Sequence, residues 1–352
     1  MVVGAGPVGA SLARAIQGLS VALVGQRPAA VDSETFDARV YALTPGNAAF
    51  LEKIGAWAAI PVERRTPVHA MRIYGDRSAV LEFDAYRAGV PELAWIVEDS
   101  ILQRALWRDM EVPLLAGSFG RLDEIDAKLV VGADGANSSV RQQAGIGVKE
   151  KSYGQVALVA NFRCARAHRN VAYQWFQQGA VLALLPLPGD HVSMVWSTGA
   201  PPGEENLCLE VERATRGALG ALTLVTPPRS YPLRRLSAER MVAPRVALVG
   251  DAAHVIHPLA GQGLNLGLQD ARELAAVLAS REPRRDPGDL RLLRRYERAR
   301  AEPILAMDTM VHSLFRLFSA ESALAGSLRN AGLNLTDRLP VLKNMLIRQA
   351  MH

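Results

Sequence analysis

Three glycines near the start of the chain have the spacing of a phosphate-binding turn. Gly4, Gly6 and Gly9 form G-x-G-x-x-G between the short apolar run Met1–Val3 and a segment of helical character, Ala10–Ile16. The first glycine allows a tight turn, the second lets the backbone approach a phosphate, and the third lets the helix pack closely on the strand. The free N–H groups at the start of such a helix favour an anion. The spacing therefore predicts a site for the pyrophosphate of a dinucleotide.

A second glycine-rich stretch lies far along the chain, in ALVGDAAHVIHPLAGQGLNLGLQDA, residues 247–271. Its apolar start predicts a buried strand that ends in a turn at Gly250 and Asp251. The next turn, PLAGQG, leads into a long helix whose apolar face is formed by Leu264, Leu268, Ala271, Leu274 and Leu278. Glycines in such a turn let the backbone itself touch a ligand.

A third stretch of this kind is AKLVVGADGANSSVRQQAG, residues 127–145. It predicts a buried strand that ends in Asp134, a turn at Gly135, and a helix with Ser138 or Ser139 as its N-cap. Asp134 is a candidate ligand of the same nucleotide. The alternative is a plain turn at the end of a strand, and the residues alone leave it open.

The elements that must position these turns are strands and helices of ordinary composition. QVALVANFRC, NVAYQWFQQ, AVLALLPLP and HVSMVWST (155–198) are rich in β-branched and aromatic residues and predict an antiparallel sheet. Large apolar residues on those strands are candidates to line a pocket or, equally, to fill the core: Trp175, Phe176, Leu185, Leu187, Met194 and Trp196. Residues 303–352 have apolar residues at helical spacing and predict helices.

The composition excludes several classes of protein. The chain has 352 residues, of which 49% are hydrophobic and 21% charged, which is typical of a globular protein of one or two domains. No apolar stretch is long enough to cross a bilayer and no signal peptide is evident, so we expect a cytoplasmic protein. Cys164 and Cys208 lack disulfide or metal spacing, and the histidines are scattered, so we expect no metal.

The net charge of +5 is concentrated in REPRRDPGDLRLLRRYERARAEP, residues 281–303. A nucleic-acid-binding protein would concentrate such charge near aromatic residues or in a recognisable module, whereas here the charge lies along one segment that leucines and glutamates interrupt, so we expect no nucleic acid as partner. Leucines and glutamates interrupt the arginines, which favours a solvated helix face. Contact with an anionic membrane surface or an acidic partner is the alternative.

The three motifs, taken in order, resemble those of a known family. GAGPVG at the start, GADGANSSVR in the middle and GDAAHVIHPLAGQGLNLGLQDA late in the chain resemble the flavoprotein aromatic hydroxylases of the para-hydroxybenzoate hydroxylase fold. Further segments resemble the ubiquinone-biosynthesis branch: DARVYALTPGNAAFLEKIGAW, YGQVALVANF, LLPLPGDHVSMVWST, SYPLRRLSAERMVAPRVALVGDAAH and DRLPVLKNMLIRQAMH. The resemblance covers nearly the whole chain.

The resemblance implies an α/β fold with three parts. A Rossmann-like FAD-binding domain would comprise residues 1–70, 95–155 and 240–282. A β-sheet substrate domain, interleaved with it, would comprise residues 71–94 and 156–239. Residues 283–352 would form a C-terminal helical region.

The resemblance also implies FAD as cofactor and assigns residues to it. Gly4, Gly6 and Gly9 would hold the AMP–pyrophosphate end, and Asp251 would accept a hydrogen bond from the ribityl chain. The full set implied for FAD is Gly4, Gly6, Gly9, Arg39, Gln103, Asp134, Gly250, Asp251, Pro258, Gly261, Gln262, Gly263 and Asn265. No residue is assigned as catalytic, although His257, Pro258 and Gln262 are candidates to face the flavin. His254 and His257 have the alternative of simple packing in the turn.

The activity implied is aromatic hydroxylation with NAD(P)H as co-substrate and O2 through a C4a-hydroperoxyflavin. The predicted strands carry little charge, which favours an apolar phenol, such as a polyprenylated one of ubiquinone biosynthesis, over a carboxylated ring. Implied partners are other quinone-biosynthesis proteins or the inner-membrane surface. Another apolar aromatic substrate is the first alternative.

Two departures from the family concern the adenosine end of FAD. Gly25, followed by Gln26, stands where an acidic residue would bind the ribose, and the segment 104–128 is shorter than usual in the family. These departures motivate a second alternative, a flavin-weakened subunit that supports assembly of a quinone-biosynthesis complex.

Overall fold

A computed structural model describes residues 1–28, 35–75, 80–117, 119–177, 179–257 and 262–319, with the backbone alone for 314–319. The helices are α1 (Pro7–Ala15), α2 (Pro45–Lys53), α3 (Ala85–Ala88), α4 (Asp99–Trp107), α5 (Ser139–Gln143), α6 (Leu207–Ala214), α7 (Gly263–Ala279) and α8 (Leu290–Ser319). Short 3-10 turns lie at Trp57–Ala59, Val62–Arg64, Leu122–Glu124, Glu204–Asn206 and Gly250–Ala252.

The strands form three sheets. They are β1 (Val2–Val3), β2 (Leu23–Gly25), β3 (Val40–Leu43), β4 (Thr66–Val68), β5 (Ala70–Tyr74), β6 (Val80–Asp84), β7 (Ala94–Glu98), β8 (Leu114–Ala116), β9 (Val130–Gly132), β10 (Val148–Cys164), β11 (Val171–Gln177), β12 (Ala180–Leu187), β13 (His191–Thr198), β14 (Leu222–Leu224), β15 (Arg229–Ala238), β16 (Val242–Ala243), β17 (Val246–Leu248) and β18 (His254–Val255).

The six-stranded sheet has the order β16-β17-β9-β1-β2-β8 and is parallel except at β16. The chain first extends it from β1 through β2 to β8, and later adds β9 and β17 on the other side of β1. The carboxyl ends of parallel strands lie at one edge, and the point where the order reverses is where such sheets bind ligands. The three glycine motifs therefore meet at one edge of this sheet.

The nine-stranded sheet has the order β18-β15-β10-β13-β12-β11-β5-β6, with β14 added beside β10. The four apolar runs predicted as strands are strands of this sheet, which confirms them. The sheet also takes residues 148–155 of β10 and the short β18, both from segments predicted for the FAD-binding domain. The predicted domain limits stay a prediction.

A small sheet of three strands, β3-β7-β4, lies between the two larger ones. Its apolar residues pack against the nine-stranded sheet in a cluster that includes Val68, Ile96, Ala172 and Leu187. Asn161 of β10 donates from Nδ2 to the carbonyl oxygen of Asp37 at 2.6 Å. The nine-stranded sheet is thereby fixed to the segment that leads into β3.

Helix α8 packs on the six-stranded side through Leu292, Leu293 and Tyr296, all fully buried. Its beginning lies within the region predicted as helical, and it continues through Pro303 to Ser319. The predicted helices beyond residue 319 lie outside the described residues. Among the helices that the structure describes, none is long and apolar enough to span a bilayer.

Candidate functional site

The turn after β1 is built on close backbone contacts. Gly4 has φ +112°, and a Cβ atom on it would lie 2.1 Å from the carbonyl oxygen of Ala133. A Cβ atom on Gly9 would lie 1.9 Å from the carbonyl oxygen of Gly4. Gly6 differs, since within the described part of the chain no atom other than those of its chain neighbours lies within 4 Å of its Cβ position. Helix α1 begins directly after it, without a side-chain cap or an acidic residue in its first turn. This open, positive helix end suits a pyrophosphate.

Gly25 has a steric reason to be glycine. Its φ is +152°, and a Cβ atom on it would lie 2.9 Å from the Cβ atom of Ala5. An acidic side chain at this position would collide with the first glycine turn. Gln26, which follows it, is exposed and is the nearest polar side chain in sequence.

The late motif forms a tight turn at the carboxyl end of β17. Gly250 has φ +59°, and the N–H of Ala253 donates to its carbonyl oxygen at 2.8 Å. Of residues 249–254, only Asp251 is exposed. The turn therefore presents one carboxylate at the sheet edge where the glycine motifs meet.

Asp251 interacts electrostatically with Arg39. Its side chain is open to solvent, yet burial by the surrounding protein raises the pKa of the carboxyl above its usual value. The charges of His254, Arg39 and Arg234 oppose this shift without reversing it. For Arg39, burial lowers the pKa, but its interactions with Tyr41, Asp99 and Asp251 outweigh burial and raise it. Arg39 and Asp251, both predicted FAD ligands, are thus brought together.

Gln103 joins the same cluster through Asp99. Its Nε2 donates to Oδ1 of Asp99 at 2.9 Å, and the hydroxyl of Tyr41 donates to the same oxygen at 2.9 Å. The guanidinium of Arg39 lies over the Tyr41 ring, 5.2 Å from its centre. Gln103 therefore helps to support Arg39, and its predicted contact with the ribityl chain stays a prediction.

Asp134 caps a helix. Its carboxylate accepts hydrogen bonds from the Ser138 hydroxyl at 2.5 Å and from the N–H and hydroxyl of Ser139 at 2.8 and 3.0 Å. Ser138 is the N-cap of α5, as predicted. Asp134 thus shapes the turn around Gly135, which has φ +78°. Its predicted contact with FAD remains a prediction.

Asn265 connects three elements beside the site. It is fully buried, and its Nδ2 donates to the carbonyl oxygen of Ala42 at 2.8 Å. Its Oδ1 accepts from the N–H of Thr44 at 3.1 Å and from Nδ2 of Asn47 at 2.8 Å. These contacts hold the first turn of α7 against β3 and α2, so Asn265 supports the predicted flavin turn from behind.

The N-terminus of α7 is the second open helix end of the site. Gln262 is its N-cap but makes no capping hydrogen bond, and no acidic residue follows in the first turn. Among the described residues, none places an atom within 4 Å of a Cβ position on Gly263, apart from its chain neighbours and the backbone of its own helix. The positive end of this helix favours negative charge in front of it. Pro258 and Gly261, also predicted for FAD, lie outside the described residues.

The two histidines of the late motif have different surroundings. His254 is buried, and its Nε2 lies 2.6 Å from Oδ2 of Asp270. His257 is 1% exposed and meets the edge of the Tyr153 ring, with 4.7 Å between ring centres. Burial lowers the pKa of His257 to about 4, so its imidazole is neutral at pH 7. His254 is thus held by Asp270, and the roles predicted for the two histidines toward the flavin stay predictions.

The six candidate pocket residues divide between two faces of the nine-stranded sheet. Trp175, Met194 and Trp196 pack with Leu207 and Val211 of α6. Phe176, Leu185 and Leu187 lie on the opposite face, which packs against the small sheet and the late motif. Only these last three can border a space between the sheet and the predicted flavin site.

One row of side chains on that face is partly exposed. Val195, Ala183, Gln174 and Ile73 are cross-strand neighbours on β13, β12, β11 and β5, and all four are half-buried. We call them the open row. On one side of it, Phe176 and Val181 pack against Ile256 and Leu266. On the other side, Ala172 and Leu187 pack against Val68 and Ile96. The open row is therefore a partly exposed, mostly apolar strip between two packed contacts, and Ile73 at its end also packs against the first of them.

Sequence reasoning missed three residues that hold the site together. Arg141 is 4% exposed and donates to the carbonyl oxygen of Ala252 at 2.9 Å, which ties the middle motif to the late one. Asp270 and Arg300 form a buried ion pair behind the same turn, with 2.7 Å between Oδ1 and Nε. Arg141 stands inside the quoted motif GADGANSSVR, so its position was a usable signal. No local sequence pattern indicates that Asp270 pairs with Arg300, which is 30 positions away.

No group of three or more histidine, cysteine, aspartate or glutamate side chains is arranged to hold a metal ion within the part of the chain that the structure describes. The polar residues of the site instead surround two helix N-termini, and Asp251 and Arg39 interact electrostatically beside them. This arrangement suits an elongated ligand that carries phosphates and hydroxyl groups.

Comparison with known proteins gives the same picture. Residues 109–308 match the FAD binding domain family. The ubiquinone hydroxylase UbiL of Rhodospirillum rubrum is 34% identical over 383 aligned positions, which cover 100% of this chain and 89% of that protein. The 3-demethoxyubiquinol 3-hydroxylase of Escherichia coli is 31% identical, over 99% of this chain and 97% of that protein.

A solved structure shares the fold over nearly its whole length. PqsL of Pseudomonas aeruginosa, described as a probable FAD-dependent monooxygenase, superposes with a TM-score of 0.76 at 25% identity. The match covers 95% of this chain and 98% of that one. The predicted fold class is thereby confirmed.

Proposed function

Because the chain belongs to the FAD-dependent monooxygenase family of the ubiquinone-biosynthesis hydroxylases, we propose that it hydroxylates the ring of a polyprenylated phenol. When bound, FAD supplies the chemistry, which is reduction by NAD(P)H and activation of O2. The protein contributes binding, orientation and exclusion of water. The observation that carries the proposal is the open row, a partly exposed and mostly apolar strip on the sheet face that packs against the late motif.

The residues of this chain fit FAD. The open position at Gly6 and the N-terminus of α1 would take the pyrophosphate, because a Cβ atom on Gly6 would occupy free space and the helix end attracts an anion. Asp251 would accept hydrogen bonds from the ribityl hydroxyls, with Arg39 beside it. The uncapped end of α7 would favour the reduced, anionic form of the cofactor.

The open row supports an apolar ring and tail rather than a small acid. Val195, Ala183 and Ile73 carry no charge, and Gln174 is the row's one polar residue. Burying a carboxylate against such side chains without a partner would be costly. A phenol needs one hydrogen bond for its hydroxyl, and an isoprenoid tail needs only apolar surface.

The proposed activity is tested by oxidation of NADH and NADPH with prenylated phenols under 18O2. Coupled turnover should place one 18O atom on the ring, whereas 4-hydroxybenzoate should give little or no product. Hydroxylation of a small apolar aromatic but of no prenylated phenol would favour the first alternative substrate class. A protein that never retains FAD would favour the assembly subunit. Because Gly25 is a glycine for steric reasons, the missing acidic side chain at this position no longer supports the assembly-subunit alternative.

We further propose that α8 brings the enzyme to an anionic membrane surface, where a polyprenylated substrate is dissolved. The support is an exposed face with Arg291, Arg294 and Arg298 at helical spacing, followed by Leu305, which is 65% exposed. Glu302 interrupts this face. Vesicles with phosphatidylglycerol should sediment the protein at low salt, and pure phosphatidylcholine vesicles should not. Replacing the three arginines by glutamine should abolish sedimentation, and equal binding to both vesicles would contradict the proposal.

A further inference from the structure

The turn that carries Asp251 is held at three points. The N–H of Gly250 donates to Oδ2 of Asp270 at 2.9 Å, and Nε2 of His254 lies 2.6 Å from the same oxygen. From the other side, Nη1 of Arg141 donates to the carbonyl oxygen of Ala252 at 2.9 Å. Asp270 therefore holds both ends of the turn on a single oxygen atom, and Asp251 lies between these contacts.

Asp270 is a fully buried carboxylate with a neutralising partner. Its other oxygen, Oδ1, accepts from Nε of Arg300 on α8 at 2.7 Å. Burial alone would raise the pKa of Asp270, but His254 and Arg300 outweigh burial and hold the pKa below its usual value. Because an ionised carboxylate only accepts hydrogen bonds, Nε2 of His254 must carry a proton and donate it. The hydrogen bond therefore fixes both the orientation of the His254 ring and its protonated nitrogen.

The two oxygens of Asp270 have separate partners. Oδ1 connects α7 to α8 through Arg300, and Oδ2 connects α7 to the turn through Gly250 and His254. The ion pair with Arg300 holds α7 against α8. The contact with the turn determines where the backbone of Asp251 lies, because Gly250 and His254, at the two ends of the turn, both bind Oδ2 of Asp270 on α7.

We propose that Asp270 is a positioning residue for FAD, which holds the turn from Gly250 to His254 so that Asp251 presents its carboxylate to the cofactor. The inference rests on the proposed function, since it takes FAD as the ligand of Asp251. Asp270 does not touch the cofactor, since it is buried behind the turn. Its effect reaches FAD only through the geometry of Asp251.

The test measures the dissociation constant of FAD from the apoprotein, by quenching of flavin fluorescence, together with the melting temperature of the apoprotein. Asp270→Asn should weaken FAD binding by about tenfold or more, because an NH2 group, which donates hydrogen bonds, replaces one of the two accepting oxygens of the Asp270 carboxylate. His254→Leu should weaken it by about fivefold or more, whereas His254→Gln, which keeps a donor, should recover most of the affinity. The His254 variants leave the Asp270–Arg300 pair intact, so they decide the matter if Asp270→Asn does not fold.

Tyr296→Phe is the matched control for packing. Tyr296 is buried on α8, and its hydroxyl donates at 2.8 Å to the carbonyl oxygen of Leu248, which belongs to β17 and not to the turn from Gly250 to His254. Its loss should lower the melting temperature and leave the FAD affinity unchanged. If the Asp270 and His254 variants likewise lower only the melting temperature, the positioning role is overturned.

Asp251→Ala, which removes both acceptor oxygens, separates this inference from the proposed function. If it leaves FAD affinity unchanged, Asp251 is not a ligand and the proposed site is wrong. If it weakens binding while His254→Leu and Asp270→Asn do not, the site stands and the positioning role falls.

Discussion

His254 and His257 stand three positions apart, yet the fold gives them opposite chemistry. His254 lies beside the carboxylate of Asp270, so its ring donates a hydrogen bond to a negative charge. His257 lies against the edge of the Tyr153 ring, and burial lowers its pKa to about 4. Because the pKa of His257 is about 4, its imidazole is neutral near pH 7 and carries no extra proton to give as a general acid. It suits a site that must keep charge and water away from a reactive cofactor.

Burial of neutral His257 makes stability depend on pH. The unfolded chain protonates this histidine below about pH 6.5, while the folded protein does so only near pH 4. The unfolded state therefore binds more protons between these values, and this contribution to stability is complete above pH 6.5 and lost as the pH falls toward 4. We expect a loss of up to about 3 kcal/mol, and His257→Phe should remove it.

Urea unfolding of both proteins between pH 4 and 7.5 checks this expectation. Phenylalanine keeps an aromatic ring against Tyr153, so the slope of stability with pH is the informative quantity, whatever the absolute stability. Parallel curves for the two proteins would show that His257 does not carry the effect.

Gly6 and Gly9 belong to one turn and serve different ends. Gly9 is needed by the fold, because a Cβ atom would lie 1.9 Å from a backbone oxygen of Gly4. Gly6 has φ −72°, which any residue adopts, and free space at its Cβ position. Gly9 lets α1 pack on β1, and Gly6 leaves room in front of the N-terminus of α1.

Matched substitutions separate these two roles. Gly9→Ala should lower the free energy of unfolding by about 3 kcal/mol or more, because a backbone oxygen cannot move aside cheaply. Gly6→Ala should leave that free energy nearly unchanged and weaken FAD binding by about tenfold, because the methyl group occupies the space of the pyrophosphate. Denaturant unfolding of the apoproteins and FAD titration provide the two readouts. Equal loss of stability in both variants would refute the distinction.

The sequence predicted these turns and strands because their signals are local. Glycine spacing identified the turns at Gly4 and Gly250, and the apolar runs identified four strands of the nine-stranded sheet. Alternation along a strand also shows that Trp175 and Phe176, as neighbours, point to opposite faces. The sequence could not show which face meets the flavin side, because that depends on how the sheets pack.

The contacts between distant segments were beyond reach for the same reason. Asp270 meets His254 and Arg300 only after α7, α8 and the turn have packed together. Asn265 was assigned to FAD by resemblance, whereas its buried amide connects α7 to Ala42 and Asn47. Asp270, Asn265 and Arg141 all stand inside the quoted motifs, but the motifs do not indicate which distant residues these side chains contact.

Near Arg39, a buried ionic cluster connects the small sheet to the nine-stranded sheet. Glu98 of β7 is 1% exposed and accepts from Nε and Nη2 of Arg64, both at 2.8 Å. It also accepts from the N–H of Asp37 at 2.8 Å, and the carbonyl of Asp37 accepts from Asn161 of the nine-stranded sheet. The segment that carries Arg39 is thus fixed from both sides.

Glu98→Gln should destabilise the protein by about 2–3 kcal/mol, because it leaves the half-buried Arg64 without its charge partner. Glu82→Gln is the control. Its partner is Arg72, and the two side chains are 30% and 42% exposed, so the loss should stay below about 1 kcal/mol. Chemical unfolding of both variants compares them, and similar losses would mean that burial does not set the value of these pairs.

The order of strands in the six-stranded sheet has a consequence for biosynthesis. β1 lies between β2 and β9, and β9 lies between β1 and β17, so the centre of the sheet needs segments from both ends of the chain. Gly9 and Gly250 are 241 positions apart. A ribosome that has released the first motif must translate nearly all of that distance before the late motif exists. Cofactor capture is therefore a late event, and nascent chains must pass through a stage in which apolar strands of this sheet are still without their neighbours.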